Sequence, residues 1–443
     1  ATVSPDHPTL GDIVILTYNP GAQPALHKDV SDLTAEVLLA RESEMPLLLE
    51  VPLRNEREHW KGSFKLDDAN ARTLLIRYIS GDEIDDNGGH SWDILVYSKA
   101  GIPLQGAYLM RSMINRSDNY FGFKRHRDDD AAWTDLAEEQ RLYPQNWRAQ
   151  LTGWGYAFRA RPDEQTMELI RNELDDLYKK RYEDEEVVSS LLYWFDQTGQ
   201  KNHANVIRSH WLKKNPGGKV AAASRQSEVF SEEDPVRKVK LLERFMEEFP
   251  QTDDNMLNVL ISFCIQAELF DKAIGLLGKH PDPNPQQYSA LAWHLIDTNQ
   301  DLDKAMDWAK KGLELARKHN ERSKPSYLSS RQWKRSREHG IGMSAGTYGL
   351  GLFKRGDFVE AERAFHEAYQ ATSGADVDIN EHLVECYVKN RNHEEAMKVA
   401  NECLRKGKAN DSLIAHYKVA YIATTGSEEG FEAAVENARG SGK

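Results

Sequence analysis

Five consecutive residues, Gly342-Met343-Ser344-Ala345-Gly346, spell the G-x-S-x-G of a nucleophile elbow, in which a strained turn holds a serine ready for acyl transfer. An elbow needs an apolar strand before it and a helix after it. Here Arg337, Glu338, His339 and Gly340 precede the pattern, and the five residues fall inside a helix of the repeat described below, so no catalytic serine is expected. The loop from Gly81 to Gly89 gathers Asp82, Glu83, Asp85, Asp86 and Asn87, an oxygen density that could hold Ca²⁺. Its spacing is not that of an EF-hand, because Glu83 and Ile84 interrupt the alternation and no Glu closes the loop; a solvated hairpin is the expectation. His382 and Cys386, four apart on one helix face with His393 nearby, make a minimal soft-metal pattern without a fourth ligand, so no metal and no cofactor are expected. His126 with Asp128, Asp129 and Asp130 reads as a polar linker entering helices. Cys264, Cys386 and Cys403 form no C-x-x-C and sit at or beside apolar slots, which makes them buried thiols; a disulfide between Cys386 and Cys403, on the two helices of one hairpin, is the alternative.

Around these residues stand 443 others-and-selves in ordinary globular proportion: 40% are apolar and 29% charged, which excludes disordered and collagen-like classes. No apolar run approaches the roughly 18 residues that span a bilayer. No charged-then-apolar signal opens the chain, and a start at Ala1 rather than Met is what a processed terminus would give. The net charge of −13 opposes general nucleic-acid binding, since phosphate would be repelled.

A small residue recurs at Ala204, Ala273, Ala305, Ala361 and Ala396, with apolar residues four and seven positions on in the clearest copies. The intervals are 69, 32, 56 and 35, the first dividing into 34 and 35 if Lys238 holds the same slot. This is the period of a tetratricopeptide (TPR) array. Its clearest copy places Gly349 and Leu352 on a first helix, Gly356 and Phe358 at the turn, and Ala361, Phe365 and Ala368 on a second; Leu383, Tyr387, Ala396 and Cys403 take equivalent slots in the next. Small residues let the two helices of a hairpin approach, and the apolar slots fill the seam with the following hairpin.

The first hundred residues differ. Short alternating segments at 12–18, 33–39, 47–53, 60–66, 74–79 and 92–97 are divided by turn clusters such as Asn19-Pro20-Gly21, Leu66-Asp67-Asp68 and Asp86-Asn87-Gly88-Gly89, and Gly101-Ile102-Pro103 closes the series. They predict an all-β, immunoglobulin-like sandwich over 1–105. Helices near 131–141, 147–157 and 164–182 make 106–184 a helical linker and the start of a solenoid that fills 185–443.

The 56-residue interval is roughly 22 longer than a TPR needs. The surplus, an insertion at 317–341, carries over 317–339 eight Lys or Arg against Glu321 and Glu338, a local charge of +6 that leaves about −19 for the rest. A solvated basic face, bonded to acidic helices nearby, is the first reading; a dock for an acidic partner or lipid headgroups, built from Lys324, Arg331, Lys334, Arg335 and Arg337, is the second. Most of Trp133, Trp147, Trp154, Trp194, Trp211, Trp293 and Trp308 are expected to pack between hairpins. The first-helix positions that line the concave face of a TPR array fall on Tyr193, Asn258, His294, Leu350 and Glu385, the candidate partner-binding groove.

The chain resembles bacterial extracytoplasmic thioredoxin-like proteins of the TlpA-like thiol:disulfide interchange class that carry a long N-terminal extension. The resemblance lies in the opening strand from Gly11 to Pro20, the acidic Asp86-Asn87-Gly88-Gly89 loop, Gly106-Ala107-Tyr108, Leu291-Ala292-Trp293, Lys324-Pro325-Ser326-Tyr327-Leu328, Thr347-Tyr348-Gly349 and Gly426-Ser427-Glu428-Glu429-Gly430-Phe431. It implies a bacterial periplasmic or cell-envelope location and a C-terminal thioredoxin domain in cis. No C-x-x-C stands before Lys443, so no catalytic residue of that family maps onto this chain. The expectation is a non-catalytic scaffold for a protein or peptide partner, with a stand-alone TPR adaptor of an envelope assembly as the alternative.

Overall fold

The computed structural model describes the chain except for residues 20–25, 27–29, 57–58, 251–253, 319–323 and 441–443; Pro20 and Gly21 of the first expected turn and Glu321 of the basic stretch lie outside the described residues. The backbone divides into two compact units, Ala1–Ala221 with Lys324–Trp333, and Ala222–Ser323 with Lys334–Lys443.

In the first unit, β1 (Thr2–Ser4), β2 (Ile13–Tyr18), β3 (Leu33–Arg41), β4 (Leu47–Glu56), β5 (His59–Lys65), β6 (Ala71–Ser80), β7 (Glu83–Asp85) and β8 (Trp92–Leu95) form one curled sheet. The order is β1-β2-β5-β4-β3-β6-β7, with β8 beside β6. The curl turns on β4, which pairs with β3 along residues 47–53 and gives only its last residues, 54–56, to β5. Alternation puts Val14, Leu16, Val37, Leu39, Ile76 and Tyr78 in one core. The opposite face of β3 and β6 is also covered: Leu38, Ala40 and Leu75 pack on Ile114 and Phe123. The middles of those two strands are therefore largely apolar on both faces, with the buried Thr73 and the pair Glu36 and Arg77, side by side in register, as polar exceptions. Arg77 Nη2 lies 2.5 Å from Glu36 Oε2, its Nη1 donates to the Gly122 carbonyl at 2.7 Å, and its guanidinium covers the Phe123 ring at 4.1 Å.

Ile114 and Phe123 come from α1 (Ala107–Asn115) and the small hairpin β9 (Asn119–Tyr120) and β10 (Phe123–Lys124). Then follow α2 (Asp129–Leu142), α3 (Trp147–Ala160), α4 (Glu164–Arg181), α5 (Glu185–Gln197) and α6 (Lys201–Lys214), whose seam is filled by Trp154, Leu174, Leu191, Phe195 and Trp211, and α7 (Lys219–Ser231), which starts in this unit and passes into the second after Ala221. Asp128, Asp163 and Asp184 cap α2, α4 and α5, each accepting a backbone N–H of the first turn. The segment Lys324–Trp333 belongs to this unit as a strap on β4. Leu48 N–H donates to the Ser326 carbonyl at 2.7 Å, and the Glu50 carboxylate accepts the Ser330 N–H and hydroxyl and the Lys324 ammonium. Those bonds hold the Glu50 carboxyl below the usual range although partial burial opposes it.

The second unit is a helical array: α8 (Pro235–Glu248), α9 (Asp254–Gln266), α10 (Phe270–Lys279), α11 (Pro285–Asp297), α12 (Leu302–Lys318), α13 (Ser330–Arg355, its first residues in the strap), α14 (Phe358–Thr372), α15 (Val377–Lys389), α16 (His393–Arg405), α17 (Asp411–Thr425) and α18 (Phe431–Gly440). Ala273, Ala305, Ala361 and Ala396 are fully buried where hairpins close, and the half-buried Lys238 lies over the Phe263 ring. The glycines divide by what surrounds them. A Cβ on Gly312 would sit 3.1 Å from the Pro285 carbonyl oxygen and 3.2 Å from Tyr288 Cβ, whereas nothing lies within 4 Å of one on Gly275. Gly275→Ala is expected to stabilise by up to about 1 kcal/mol through helix propensity, and Gly312→Val to destabilise by about 1–3 kcal/mol through overpacking. Thermal melts of the two variants check this; equal shifts of one sign would contradict it.

Candidate functional site

Two parallel stripes of side chains shape the inner face of the second unit. On α11, Asn284 caps the helix and Pro285 starts it, while Leu291, Ala292, Leu295 and Ile296 are buried against neighbours. That burial fixes the rotation of the helix and turns Gln286, Ala290, Trp293 and Asp297, spaced four, three and four apart, toward open space. On α13 the buried Ala345, Gly349 and Leu352 do the same for Met343, Thr347, Leu350 and Lys354, with the same spacing. Between the stripes lies a groove of two joined compartments, which share Trp293, Met343 and Thr347.

The larger compartment holds about 700 Å³ and extends over Ile265 and Glu268 at the end of α9, with His294 and His339 at its margin. The smaller holds about 360 Å³, floored by Leu350, Phe365 and Ile379 and edged by Asp297, Asp376, Asp378, Lys354 and His382. His382 stacks on Phe365, ring centroids 5.3 Å apart. Its Nδ1 stands 3.8 Å from Glu385 Oε2, as does His416 Nε2, and Lys389 Nζ lies 3.5 Å from the other oxygen. These neighbours, His382 foremost, hold the Glu385 carboxyl below the usual carboxylate range.

Of the residues transferred from the TPR pattern, His294 lines the larger compartment and Leu350 the smaller. Asn258 sits at the α9–α11 seam, its carbonyl accepting from Gln287 Nε2 at 2.8 Å, and Glu385 lies one turn beyond the lining residue His382. Tyr193 belongs to the first unit, exposed on α5 with its ring edge against Trp194, and lines neither compartment. Trp293 departs from the packing expected of most helical tryptophans: it is 50% exposed, more than Trp133 at 39%, because the buried ridge of α11 passes on either side of it. The α11 periodicity, which leaves Trp293 off the apolar ridge, was the signal available in the sequence.

The other candidates are placed plainly. Ser344 is fully buried inside α13, accepting a hydrogen bond from Ser289 Oγ at 3.1 Å, and the strand and exposed turn of an elbow are not there. In the acidic loop Asp85 is buried and accepts from Tyr18 Oη at 2.6 Å and from Asn87 N–H, while Asp86 accepts from Gly89 N–H. Cys264, Cys386 and Cys403 are free and buried, the last two on α15 and α16 of one hairpin without a disulfide between them. In the basic stretch, Lys324 is paired with Glu50 at 3.2 Å; Arg331, Arg335 and Arg337 each have interaction partners; Lys334 Nζ stands 3.9 Å from Glu338. Among the described residues no group of three or more His, Cys, Asp or Glu could hold a metal ion, and no helix is long and apolar enough to cross a membrane.

The hairpins from the end of α13 to the start of α17 match a known family, the tetratricopeptide repeat, over residues 352–415. The chain contains tetratricopeptide repeats. No curated protein matches it by sequence. Among solved structures, BtubC (BKLC) from P. vanneervenii is similar at 16% identity over 48% of this chain and 89% of that one, with a TM-score of 0.35. Yeast Tom70 is similar at 14% identity over 77% and 68% of the two chains, TM-score 0.33, and the APC/C hetero-tetramer Cut9–Hcn1 at 10% over 75% and 55%, TM-score 0.29. The chain thus joins a curled sheet near its N-terminal end to a helical array that contains tetratricopeptide repeats.

Proposed function

We propose that the protein is a non-catalytic scaffold whose second unit receives an extended or helical peptide segment of a partner protein between α11 and α13. The observation that carries this reading is Trp293, a large ring left half exposed where two solvent-facing stripes meet over an apolar floor. Aromatics that a partner buries anchor interfaces, and truncating one that acts as such an anchor costs about 2 kcal/mol or more of binding, roughly thirtyfold. A photo-crosslinking residue at Thr347, in source cells, should capture partner protein, whereas the same residue at the exposed Arg363 of α14 should not. Trp293→Ala should remove the Thr347 adducts while shifting stability by no more than about 1 kcal/mol. Equal capture at both positions, or capture indifferent to Trp293, would refute the groove as the binding site.

The resemblance to TlpA-like proteins supports a finer version: an extracytoplasmic arm, with the first unit an immunoglobulin-like module, that brings substrate proteins to a thioredoxin-like domain in cis. An immunoblot of the native protein tests it. A band larger than the 50.5 kDa of this chain by one domain of roughly 100–150 residues supports the arm, and a band of 50.5 kDa the stand-alone envelope adaptor.

A further inference from the structure

The two compartments differ in charge, and that difference specifies an occupant. Trp293 and Asp297 lie one turn apart on the same stripe of α11, so the indole and the carboxylate open into the same 360 Å³ space. Asp376 and Asp378, at the start of α15, face them, against one cation, Lys354. Asp376 already accepts the Ile379 N–H as a helix cap. Asp297 and Asp378 are exposed and, among the described residues, neither makes an ion pair. The larger compartment is mostly apolar, with Ile265, Ala290 and Met343 in its wall and Glu268 at its end. An acidic partner would meet repulsion along the whole groove, and a purely apolar one would strip water from Asp297 and Asp378 without replacing it.

Resting on the groove reading above, we infer that the occupant is a cationic, amphipathic peptide. A Lys or Arg enters the smaller compartment, stacked on the Trp293 ring and paired with Asp297 and Asp378, and a neighbouring apolar side chain enters the larger. A cation over an indole and an exposed carboxylate pair each contribute about two- to fivefold, and together set a preference of roughly tenfold for the charged side chain.

The test pans a random dodecapeptide library, displayed on phage, against the full chain and against its Trp293→Ala and Asp297→Asn/Asp378→Asn variants; Asp376 is left intact for its cap. Peptides selected on the wild type and lost on Trp293→Ala should be rich in Lys or Arg beside Leu, Ile, Phe or Met. Replacing the basic residue of a selected synthetic peptide by Gln should weaken binding roughly tenfold on the wild type and only about two- to fivefold on the double Asn variant, where the indole still faces the cation. Trp293-dependent peptides without basic enrichment, or a basic preference undiminished by the Asn substitutions, would overturn this inference and leave the groove standing. A selection that yields no Trp293-dependent peptide would overturn the groove reading and this inference with it.

Discussion

Glu36→Gln is expected to destabilise the sheet-bearing unit by about 3–5 kcal/mol, although it keeps the volume of the side chain. Glu36 and Arg77 are 2% and 4% exposed on the inner pair of strands, covered by α1 and the β9–β10 hairpin. Glu36 Oε2 takes both Arg77 Nη2 and Nε, at 2.5 and 2.7 Å, so its carboxylate is the only full charge balancing the guanidinium, the Gly122 carbonyl and the Phe123 face supplying dipoles alone among the described neighbours. Gln fills the same volume but leaves that cation buried and uncompensated. Removing both partners is a different matter: Glu36→Leu with Arg77→Met substitutes apolar bulk for a pair whose attraction is largely cancelled by its own desolvation, and should return stability to within about 1 kcal/mol of the wild type. Chemical denaturation followed through the sheet signal measures both. A single Gln variant as stable as the wild type would show that water reaches the pair.

The second large effect is a silence. Titration of the native protein with an aromatic disulfide reagent at pH 8 should release thiol from Cys386 and Cys403 at least roughly a hundredfold more slowly than from the unfolded chain. Burial pushes the Cys386 thiol up to about 12 and Cys403 to about 11, and raises Cys264 as well, with carboxylates such as Glu385 and Glu402 adding to the first two. Only the thiolate attacks, so at pH 8 the reactive fraction of Cys386 is about one in ten thousand, against roughly a quarter for an ordinary thiol. Because the shift is upward, the native rate should climb with pH until the solution approaches pH 11, whereas the unfolded rate should level off near pH 9. One fast thiol at pH 8 would refute this and would reopen redox chemistry within the chain.

Much of the second unit was legible because its determinant is local. Small residues at Ala273, Ala305, Ala361 and Ala396 must be buried wherever two helices touch, and a fixed interval betrays them. Strands such as β2, β3 and β6 were legible from alternation, but the closure of all eight into one curled sheet was not, since the β4–β5 pairing rests on only three register pairs at the end of a ten-residue strand. The strap was invisible for a plainer reason: Ser326 and Ser330 bond Pro46 and Glu50 across 280 residues of sequence, and nothing in a basic Lys-Pro-Ser segment names its acceptor. In the groove, His294 and Leu350 were found by position in the repeat, while Trp293 and Asp297 were missed because an aromatic in a helix is more often packed and a polar residue at a helix end carries no signal by itself.

The strap also sets a timetable for the chain's birth. Strands β1 to β8 and helices α1 to α6 leave the ribosome first, yet the residues that satisfy Leu48 N–H and Glu50 follow about a hundred residues after Ala221. At ordinary translation rates that gap is roughly 5 to 20 s, during which the sheet must wait with one edge open to water or to a chaperone while half of the neighbouring unit is made. The N-terminal unit is thus begun before its partner, but it cannot be finished until about half of that partner has been made.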